Sequence, residues 1–353
     1  YRDSEIFEDK FAIELLNMMR KHGEFTVDSS NYYWGHNHGI YQDRALLQLG
    51  GLFPIFSDSE EWMEIAKSRL EIHIQDGVTK SGVHKEHSPA YHYLVMKLFI
   101  DINKFNIHYD YPNNKINSVV YDMQEYLVHI AKPNGKVPSV GDSFDDNVMK
   151  ISKSLVTNEH LLYEITNGLE GDEIQIDSIV YDDAGVVIFK NDWNQEKPLY
   201  FSMFNGFHSI VHKQSDDLSF VLTYGDTDFI VDAGKYNFVE SDPYRIFIRS
   251  VFAHNTISVD NKSYDFRDES NIDNPIIESF SIGENYSYAR ASHTLFDGVK
   301  VTRTVIFINQ GAIYLHDKLE SEDFHSYSQI FNIGQDVSTN LSTPENITLI
   351  SNL

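Results

Sequence analysis

The sequence predicts an α+β protein of more than one domain, with a helical first half and an antiparallel β-sandwich in the second. Apolar residues recur at helical spacing up to about residue 165. From about residue 180 they fall in short runs rich in β-branched and aromatic residues. The 353 residues suffice for two cores. We therefore expect a helical domain over 1–170 and a β domain over 171–353, joined by the polar stretch 167–177.

Helix ends are marked by capping and stop signals. Ser88 and Pro89 supply an N-cap and a first helical residue, and the run 57–60 resembles a capping box. Gly50-Gly51 is expected to end an earlier helix. The predicted helices, in chain order, are 40–49, one after 57–60, one after 88–89, and 116–130.

The second half consists of short apolar runs separated by turn signals such as Gly225-Asp226. No stretch long enough for a crossover helix lies between them, which favours antiparallel over parallel pairing. The predicted strands are 185–189, 199–204, 218–224, 229–231, 301–308 and 312–316.

Composition excludes several functions. A net charge of −25 denies the chain the broad basic surface that nucleic-acid binding needs, so no nucleic acid is expected as a partner. Without Cys there is neither a disulfide, a thiolate metal site nor a Cys nucleophile. No run of eighteen apolar residues predicts a membrane span. An anionic substrate would require a locally positive cleft.

Polar residues of catalytic type crowd into three clusters. These are Trp34–Gly39, Gly82–His92 and His208–Asp217, the last followed by Asp232 and by His254-Asn255. Taken singly, each residue has a structural explanation, as a helix cap, a turn former or a buried aromatic with its hydroxyl paired. The order of the clusters is what favours a functional interpretation.

These stretches resemble the heparinase II/III-like family of polysaccharide lyases. The resemblance spans roughly residues 35–260, in the family's order, and its most specific stretch is His212–Phe220. The matching stretches are Asn37–Leu47, Glu86–His92, Gly141-Asp142-Ser143, His212–Phe220, Ile230–Tyr236 and Ala253–Thr256.

The resemblance implies an incomplete (α/α) toroid before the sandwich, with further toroid helices expected ahead of Tyr1. It also implies that Asn37, His38, Tyr91 and His212 are catalytic. Eliminating across C4 and C5 of a uronate requires the carboxylate charge to be neutralised, a task for Asn37 and His212. A base then removes the C5 proton and an acid protonates O4.

Tyr91 is the expected acid, and for one uronate epimer also the base, with His38 the base for the other. As the third residue after the Ser88 cap, Tyr91 is placed where the helix dipole favours a phenolate. Residues expected to bind the substrate, partly by supplying the local positive charge, are Arg44, Glu86, Lys213, Tyr236 and Arg245.

A structural divalent metal, zinc or another ion, is a further implication of the resemblance. Many family members carry His-x-His where this chain has His212-Lys213-Gln214, the second His joining a later Asp and His. The candidate ligands here are Gln214, Asp232 and His254. An amide oxygen is a weaker and harder ligand than imidazole, so the metal is doubtful. The alternative is a metal-free site in which Gln214 hydrogen-bonds Asp232.

We expect a lyase that acts on an acidic polysaccharide or oligosaccharide and is periplasmic or secreted, the location resting on the resemblance. One alternative is a glycoside hydrolase with carboxylates such as Glu86, Asp142 or Asp43 as acid and base. Another is a non-catalytic glycan-binding protein. The sequence carries no signal for the particular polymer or for the oligomeric state.

Overall fold

The computed structural model describes residues 8–111, 113–175, 178–191, 197–343 and 346–351. The chain divides into two compact units, Tyr1–Val78 with Val95–Val120, and Thr79–Leu94 with Tyr121–Leu353. Residues 167–175 of the predicted linker form turns and irregular chain. Its last residues, Ile176 and Asp177, lie outside the described residues.

Helices dominate the first part of the chain, as predicted. Those described are α1 (Asp9–Val27), α2 (Asn37–Leu52), α3 (Ser59–Gly77), α4 (Pro89–His108), α5 (Asn114–Ile130), α6 (Glu159–Ile165) and, between strands, α7 (Pro243–Ile248). The four helices predicted from end signals correspond to α2–α5. None of the helices in the described ranges has the length and apolarity that crossing a bilayer requires.

The prediction that Gly50-Gly51 ends a helix is wrong, because α2 runs through both glycines. A Cβ at Gly50 would lie 2.6 Å from the carbonyl oxygen of Ser59, and one at Gly51 would lie 2.7 Å from the ring of Phe105. The glycines therefore serve close packing against neighbouring helices within the first unit.

The cap predicted for α4 is confirmed, since the Ser88 hydroxyl accepts a hydrogen bond from the backbone N–H of Tyr91 at 3.3 Å. The capping box predicted at 57–60 is not formed. Asp58 is the N-cap of α3, and its side chain makes no capping hydrogen bond.

The second unit carries antiparallel strands, as the sequence predicts. Strands β1–β5 are Ile179–Tyr181, Val186–Lys190, Leu199–Phe204, Ser219–Tyr224 and Thr227–Ile230, paired in chain order in one sheet. Strands β7–β10 are Ile276–Ser281, Tyr286–Phe296, Val299–Ile308 and Ala312–Ser321, paired in the order β10-β9-β8-β7. Two smaller pairs join β6 (Ile257–Val259) to β11 (Tyr327–Gln329), and β12 (Val337–Thr343) to β13 (Asn346–Ser351).

The core of the second unit combines side chains from both large sheets. Phe189 and Phe201 from the first sheet and Val305 and Phe307 from the second are fully buried in one apolar cluster. The ring centroids of Phe189 and Phe307 lie 5.8 Å apart. Burying such a side chain contributes about 1.5–3 kcal/mol to the free energy of folding. The packed sheets therefore form a stable support for the loops between their strands.

Candidate active site

Tyr91 and His212 form a stacked pair in the second unit. Their ring centroids are 3.7 Å apart, with 23° between the ring planes. Nδ1 of His212 lies 2.9 Å from Oδ2 of Asp142, and its Nε2 lies 3.6 Å from Oε2 of Glu86. The imidazole is thus fixed on one edge by a carboxylate and on one face by a phenol.

Asp142 is the centre of these contacts. Arg245 donates to both of its oxygens, at 2.6 and 2.8 Å, and the Gln214 amide donates to Oδ1 at 2.9 Å. Burial alone would raise the pKa of Asp142, but the hydrogen bonds from His212, Arg245 and Gln214 and the charge of Arg245 hold it well below its usual range. We call this set the Asp142 cluster: Glu86, Tyr91, Asp142, His212, Gln214 and Arg245.

Local backbone conformation explains how the Asp142 cluster assembles. Gly141 has φ +55°, and a Cβ there would lie 2.3 Å from the carbonyl oxygen of His87. Only glycine fits such a position, which brings the next residue, Asp142, beside His212. His212 itself has φ +55°, a conformation uncommon for a residue with a side chain and often found at functional sites.

Ser143 ties this turn to the start of α4. Its hydroxyl lies 2.7 Å from that of Ser88 and accepts a hydrogen bond from the backbone N–H of Ala90 at 3.2 Å. Because Ser88 caps α4 and Tyr91 lies in its first turn, this contact sets the position of Tyr91 relative to Asp142.

The expectation that Tyr91 has a stabilised phenolate is wrong. Burial raises the pKa of Tyr91, and the carboxylates of Asp142 and Glu86 raise it further, against the lowering effect of Arg245. At neutral pH the phenol keeps its proton, which suits a proton donor.

Asn37 and His38 lie in the first unit, at the start of α2. Asn37 is buried, whereas His38 is exposed. His36 is the N-cap, and its Nδ1 accepts a hydrogen bond from the backbone N–H of His38 at 3.1 Å. The rings of His36 and His38 are 4.4 Å apart.

A buried set of polar side chains, the Asp43 cluster, supports this turn and consists of Tyr32, Asp43, Arg69 and His73. The Tyr32 hydroxyl contacts Oδ2 of Asp43 and lies 2.6 Å from Nε2 of His73. A Cβ at Gly39 would lie 2.7 Å from that same nitrogen. The first turn of α2 therefore packs directly on this cluster.

The remaining predicted substrate-binding residues differ in their surroundings. Tyr236 is exposed, and Arg44 contacts the carboxylate of Asp101. Lys213 is buried, and its ammonium lies 2.6 Å from Asp216 and 2.9 Å from Asp217. The Lys213 ammonium is thus part of an internal ion network. Of the predicted substrate-binding residues, Lys213 is the one that this geometry supports least.

The side chains predicted to bind a metal are mostly engaged with the protein itself. Nδ1 of His254 lies 2.9 Å from Oδ2 of Asp232, and the Ser219 hydroxyl donates to the same oxygen. Gln214 donates to Asp142 and, at 3.3 Å, to the Gly234 carbonyl, so the alternative in which it bonds Asp232 is wrong.

Two buried atoms of this set have no hydrogen-bond partner among the described residues, Oε1 of Gln214 and Nε2 of His254. Structural zinc takes four donors. The predicted set offers only two available donor atoms, because the Asp232 carboxylate is already bound to His254. In this arrangement the three residues do not fit a structural zinc. We assign no step of the chemistry to a metal.

Comparison with known families covers both parts of the chain. Residues 1–164 match the family described as Heparinase II/III N-terminus, and residues 175–352 match Heparinase II/III-like, C-terminal. The chain belongs to the heparinase II/III-like family.

Curated relatives within this family are distant. A protein named heparin-sulfate lyase from Pedobacter heparinus is 23% identical over 334 residues, which cover 91% of this chain and 49% of that protein. One of the same name from Bacteroides thetaiotaomicron is 23% identical over 291 residues, 73% of this chain and 41% of that protein. The chain spans about half the length of the curated relatives it matches, or less.

Solved structures of heparinases share the fold. A crystal structure of heparan sulfate lyase from Pedobacter heparinus superposes with a TM-score of 0.80 at 22% identity, covering 98% of this chain and 55% of that one. A crystal structure of heparinase III gives a TM-score of 0.83 at 21% identity, covering 97% and 56%. These likenesses establish a common α+β fold with antiparallel sheets.

Sequence reasoning missed the central position of Asp142 in this heparinase II/III-like chain. It placed Asp142 in a matching motif, but gave it a role only in the hydrolase alternative. The signal that marks it is the glycine before it, since a Gly-Asp-Ser turn in a family motif indicates a backbone position that only glycine can occupy. Its partners could not be read from spacing.

Proposed function

We propose that the protein is a polysaccharide lyase that cleaves acidic, uronate-containing polysaccharide by β-elimination. The observation that carries the proposal is the stacked pair of Tyr91 and His212, held by an ionised Asp142. The proposal is also supported by the chain's membership of the heparinase II/III-like family and by the names of its curated relatives.

In this proposal His212 and Asn37 neutralise the uronate carboxylate. Asp142 accepts a hydrogen bond from Nδ1 of His212 and so fixes the orientation of the imidazole. Asn37 donates its amide hydrogen to the same carboxylate, and both donors stabilise the charge that develops as the C5 proton leaves.

Tyr91 protonates the leaving O4 oxygen. The raised pKa of Tyr91 keeps the phenol protonated until the C4–O4 bond breaks, and this supports the acid role over the base role. His38 is the base for one epimer. The proton leaves C5 for the base, the C5–H electrons form the C4=C5 bond, and O4 departs with its bonding pair and takes the Tyr91 proton.

The carboxylates Asp142 and Asp43 give little support to the hydrolase alternative. A hydrolase needs one carboxylic acid that is protonated and reaches the glycosidic oxygen. Asp142 is held ionised by Arg245, His212 and Gln214, and Asp43 is fully buried within the first unit. Neither meets the requirement, so Glu86 is the carboxylate on which this alternative would depend.

We further propose that the helices form an incomplete (α/α) toroid and the large sheets an antiparallel β-sandwich, divided as 1–170 and 171–353. The likeness to solved heparinases supports the architecture. The shared core of Phe189 and Phe307 supports the sandwich.

The proposed partner is an acidic polysaccharide or oligosaccharide, and the proposed location is the periplasm or the cell exterior, where such polymers are met. A divalent metal remains only a prediction, given the two donor atoms left by Gln214 and His254.

The test incubates the full-length protein with a panel of uronate polymers and follows ultraviolet absorbance from the conjugated C4=C5 bond. Tyr91→Phe should lower kcat by about 100-fold or more, the range of general acid catalysis. Tyr121→Phe, which removes a phenol hydroxyl from a partly exposed ring on α5, is the matched control. Chains that shorten without new absorbance would exclude elimination.

A further inference from the structure

Four exposed aromatic rings lie in the segment around α7 or beside its Lys235. Tyr236 and Phe238 are 54% exposed, Tyr244 is 69% exposed, and Phe144 is 50% exposed. We call Phe144, Tyr236, Phe238 and Tyr244 the aromatic platform. Contiguous exposed apolar surface of this kind marks a binding site more often than chance.

Lys235 lies in the middle of the aromatic platform. Its Nζ is 3.6 Å from the ring centroid of Phe238 and 4.5 Å from that of Phe144. Rings on either side hold the ammonium by cation–π attraction and restrict its motion. Among the described residues, no carboxylate lies within ion-pair distance of Lys235.

That arrangement stands out in a chain with 53 acidic and 28 basic residues. Most cations near the Asp142 cluster are already neutralised, Arg245 by Asp142 and Lys213 by Asp216 and Asp217. Lys235 therefore offers a positive charge to an incoming anion where the net charge of the chain would repel one.

The aromatic platform is continuous with the candidate active site. The Phe238 ring centroid is 6.3 Å from that of His212, and the Arg245 guanidinium carbon is 5.8 Å from the same ring. Tyr236 and Tyr244 lie beside each other in the same segment, with ring centroids 5.7 Å apart. The platform thus begins where the stacked Tyr91–His212 pair ends.

We propose that the aromatic platform and Lys235 form a saccharide subsite next to the site of elimination. Exposed rings such as Phe238 and Tyr236 pack against the apolar face of a pyranose, and Lys235 pairs with an acidic group of that sugar, a carboxylate or a sulfate. The inference rests on the proposed function and adds to it a chain-binding surface on one side of the reacting uronate.

The first experiment compares Lys235→Met with Lys80→Met, which removes an exposed lysine elsewhere in the same unit. On a uronate polymer, Lys235→Met should raise KM about tenfold and leave kcat within about threefold, because it removes both the charge that pairs with the sugar's acidic group and its cation–π support. Tenfold corresponds to about 1.4 kcal/mol. The KM difference should shrink as salt is added. Lys80→Met should leave both constants unchanged.

Substrate length and sulfation sharpen the test. The KM effect of Lys235→Met should vanish on the shortest oligosaccharide that is still cleaved, because that substrate fills the site of elimination without reaching the platform. An equal effect on short and long substrates would overturn the subsite. A loss of affinity confined to sulfated polymers would identify the bound group as a sulfate, and an equal loss on an unsulfated uronate polymer would identify it as a carboxylate.

Binding separates this inference from the proposed reaction. Calorimetric titration of Tyr91→Phe with uronate polymer should show binding that Lys235→Met and Phe238→Leu each weaken in the same background. If wild-type protein forms no unsaturated product but this binding pattern holds, the reaction is wrong and the subsite stands. If the platform variants instead change the sedimentation of the protein and not polymer binding, the platform joins two copies of the chain and the inference is overturned.

Discussion

Asp43 in the first unit and Asp142 in the second are both buried aspartates, yet their pKa values move in opposite directions. Asp43 is 0% exposed and Asp142 is 3% exposed. Burial raises the pKa of Asp43 to about 8, against smaller lowering effects of Tyr32 and Arg69. For Asp142, the effect of burial is overcome by His212, Arg245 and Gln214, and its pKa falls well below the usual range.

The difference lies in the donors that each carboxylate meets. Asp142 accepts hydrogen bonds from both arms of Arg245, from His212 and from Gln214. Arg69 instead donates to the backbone carbonyls of Thr26 and Val27 and stays 3.9 Å from Asp43. Burial sets the cost of a charge, and the arrangement of donors decides whether the charge persists.

The aspartates of the two clusters therefore differ in protonation state. With a pKa near 8, Asp43 is largely protonated at pH 7, and the Tyr32 hydroxyl donates a hydrogen bond to its Oδ2. Burial lowers the pKa of His73 to about 4, so the imidazole that contacts the Tyr32 hydroxyl is uncharged at pH 7. In the Asp43 cluster the carboxyl and the imidazole are both uncharged, whereas the Asp142 cluster holds a fixed anion beside the proposed catalytic imidazole.

Replacing the anion of the Asp142 cluster should have the largest effect. Asp142→Asn removes the charge that orients His212 and neutralises Arg245, and kcat for unsaturated product should fall about 100-fold or more. Asp146→Asn, an exposed carboxylate four residues on, is the control. Rates within about threefold of wild type for Asp142→Asn would place the anion outside the chemistry.

Replacing Asp43, the protonated carboxyl of the first unit, should change how the free energy of unfolding depends on pH. Between the unfolded pKa of 3.8 and the folded pKa of about 8, the native state binds the extra proton. The contribution of Asp43 to stability is thus present at low pH and lost as pH rises, by up to about 1.4 kcal/mol per pH unit.

Asp43→Asn should therefore flatten the fall in the free energy of unfolding from pH 5 to pH 8, measured by urea titration at each pH. Glu64→Gln, at an exposed carboxylate on α3, should leave the slope as in wild type. An unchanged slope in Asp43→Asn would mean that Asp43 is ionised, like Asp142, and the contrast between the clusters would fail.

The Tyr32 hydroxyl is the link that keeps the Asp43 cluster paired. Tyr32→Phe preserves the ring over which Arg69 lies but leaves Asp43 and His73 without this partner. The free energy of unfolding should drop by about 1–3 kcal/mol, the cost of unpaired buried polar groups. Tyr33→Phe, at the exposed neighbour, should cost less than about 0.5 kcal/mol.

Chelation should have the smallest effect. Because the predicted ligands leave only two donor atoms, on Gln214 and His254, treatment with a chelator should leave both the melting temperature and the elimination rate unchanged. Added zinc should not alter them. A fall of several degrees on chelation, reversed by zinc, would show that Gln214 and His254 do hold an ion.

Much of the fold could be predicted, because local signals act over a few residues. The cap at Ser88 and the strands around 199–204 and 219–224 followed from residue type and spacing. Gly50-Gly51 misled, since a glycine that permits close packing looks like one that ends a helix. Telling them apart requires the neighbours Ser59 and Phe105, one of which lies more than fifty residues away.

The sequence by itself determined the order of helices before strands, the motifs of the heparinase II/III-like family and the residue types available for elimination. Only the tertiary structure decided which carboxylate keeps its charge, since the partners of Asp142 lie 70, 72 and 103 residues from it along the chain. It also decided that the Tyr91 phenol keeps its proton. Charge states depend on desolvation and on distances between groups, and neither quantity exists until the chain is folded.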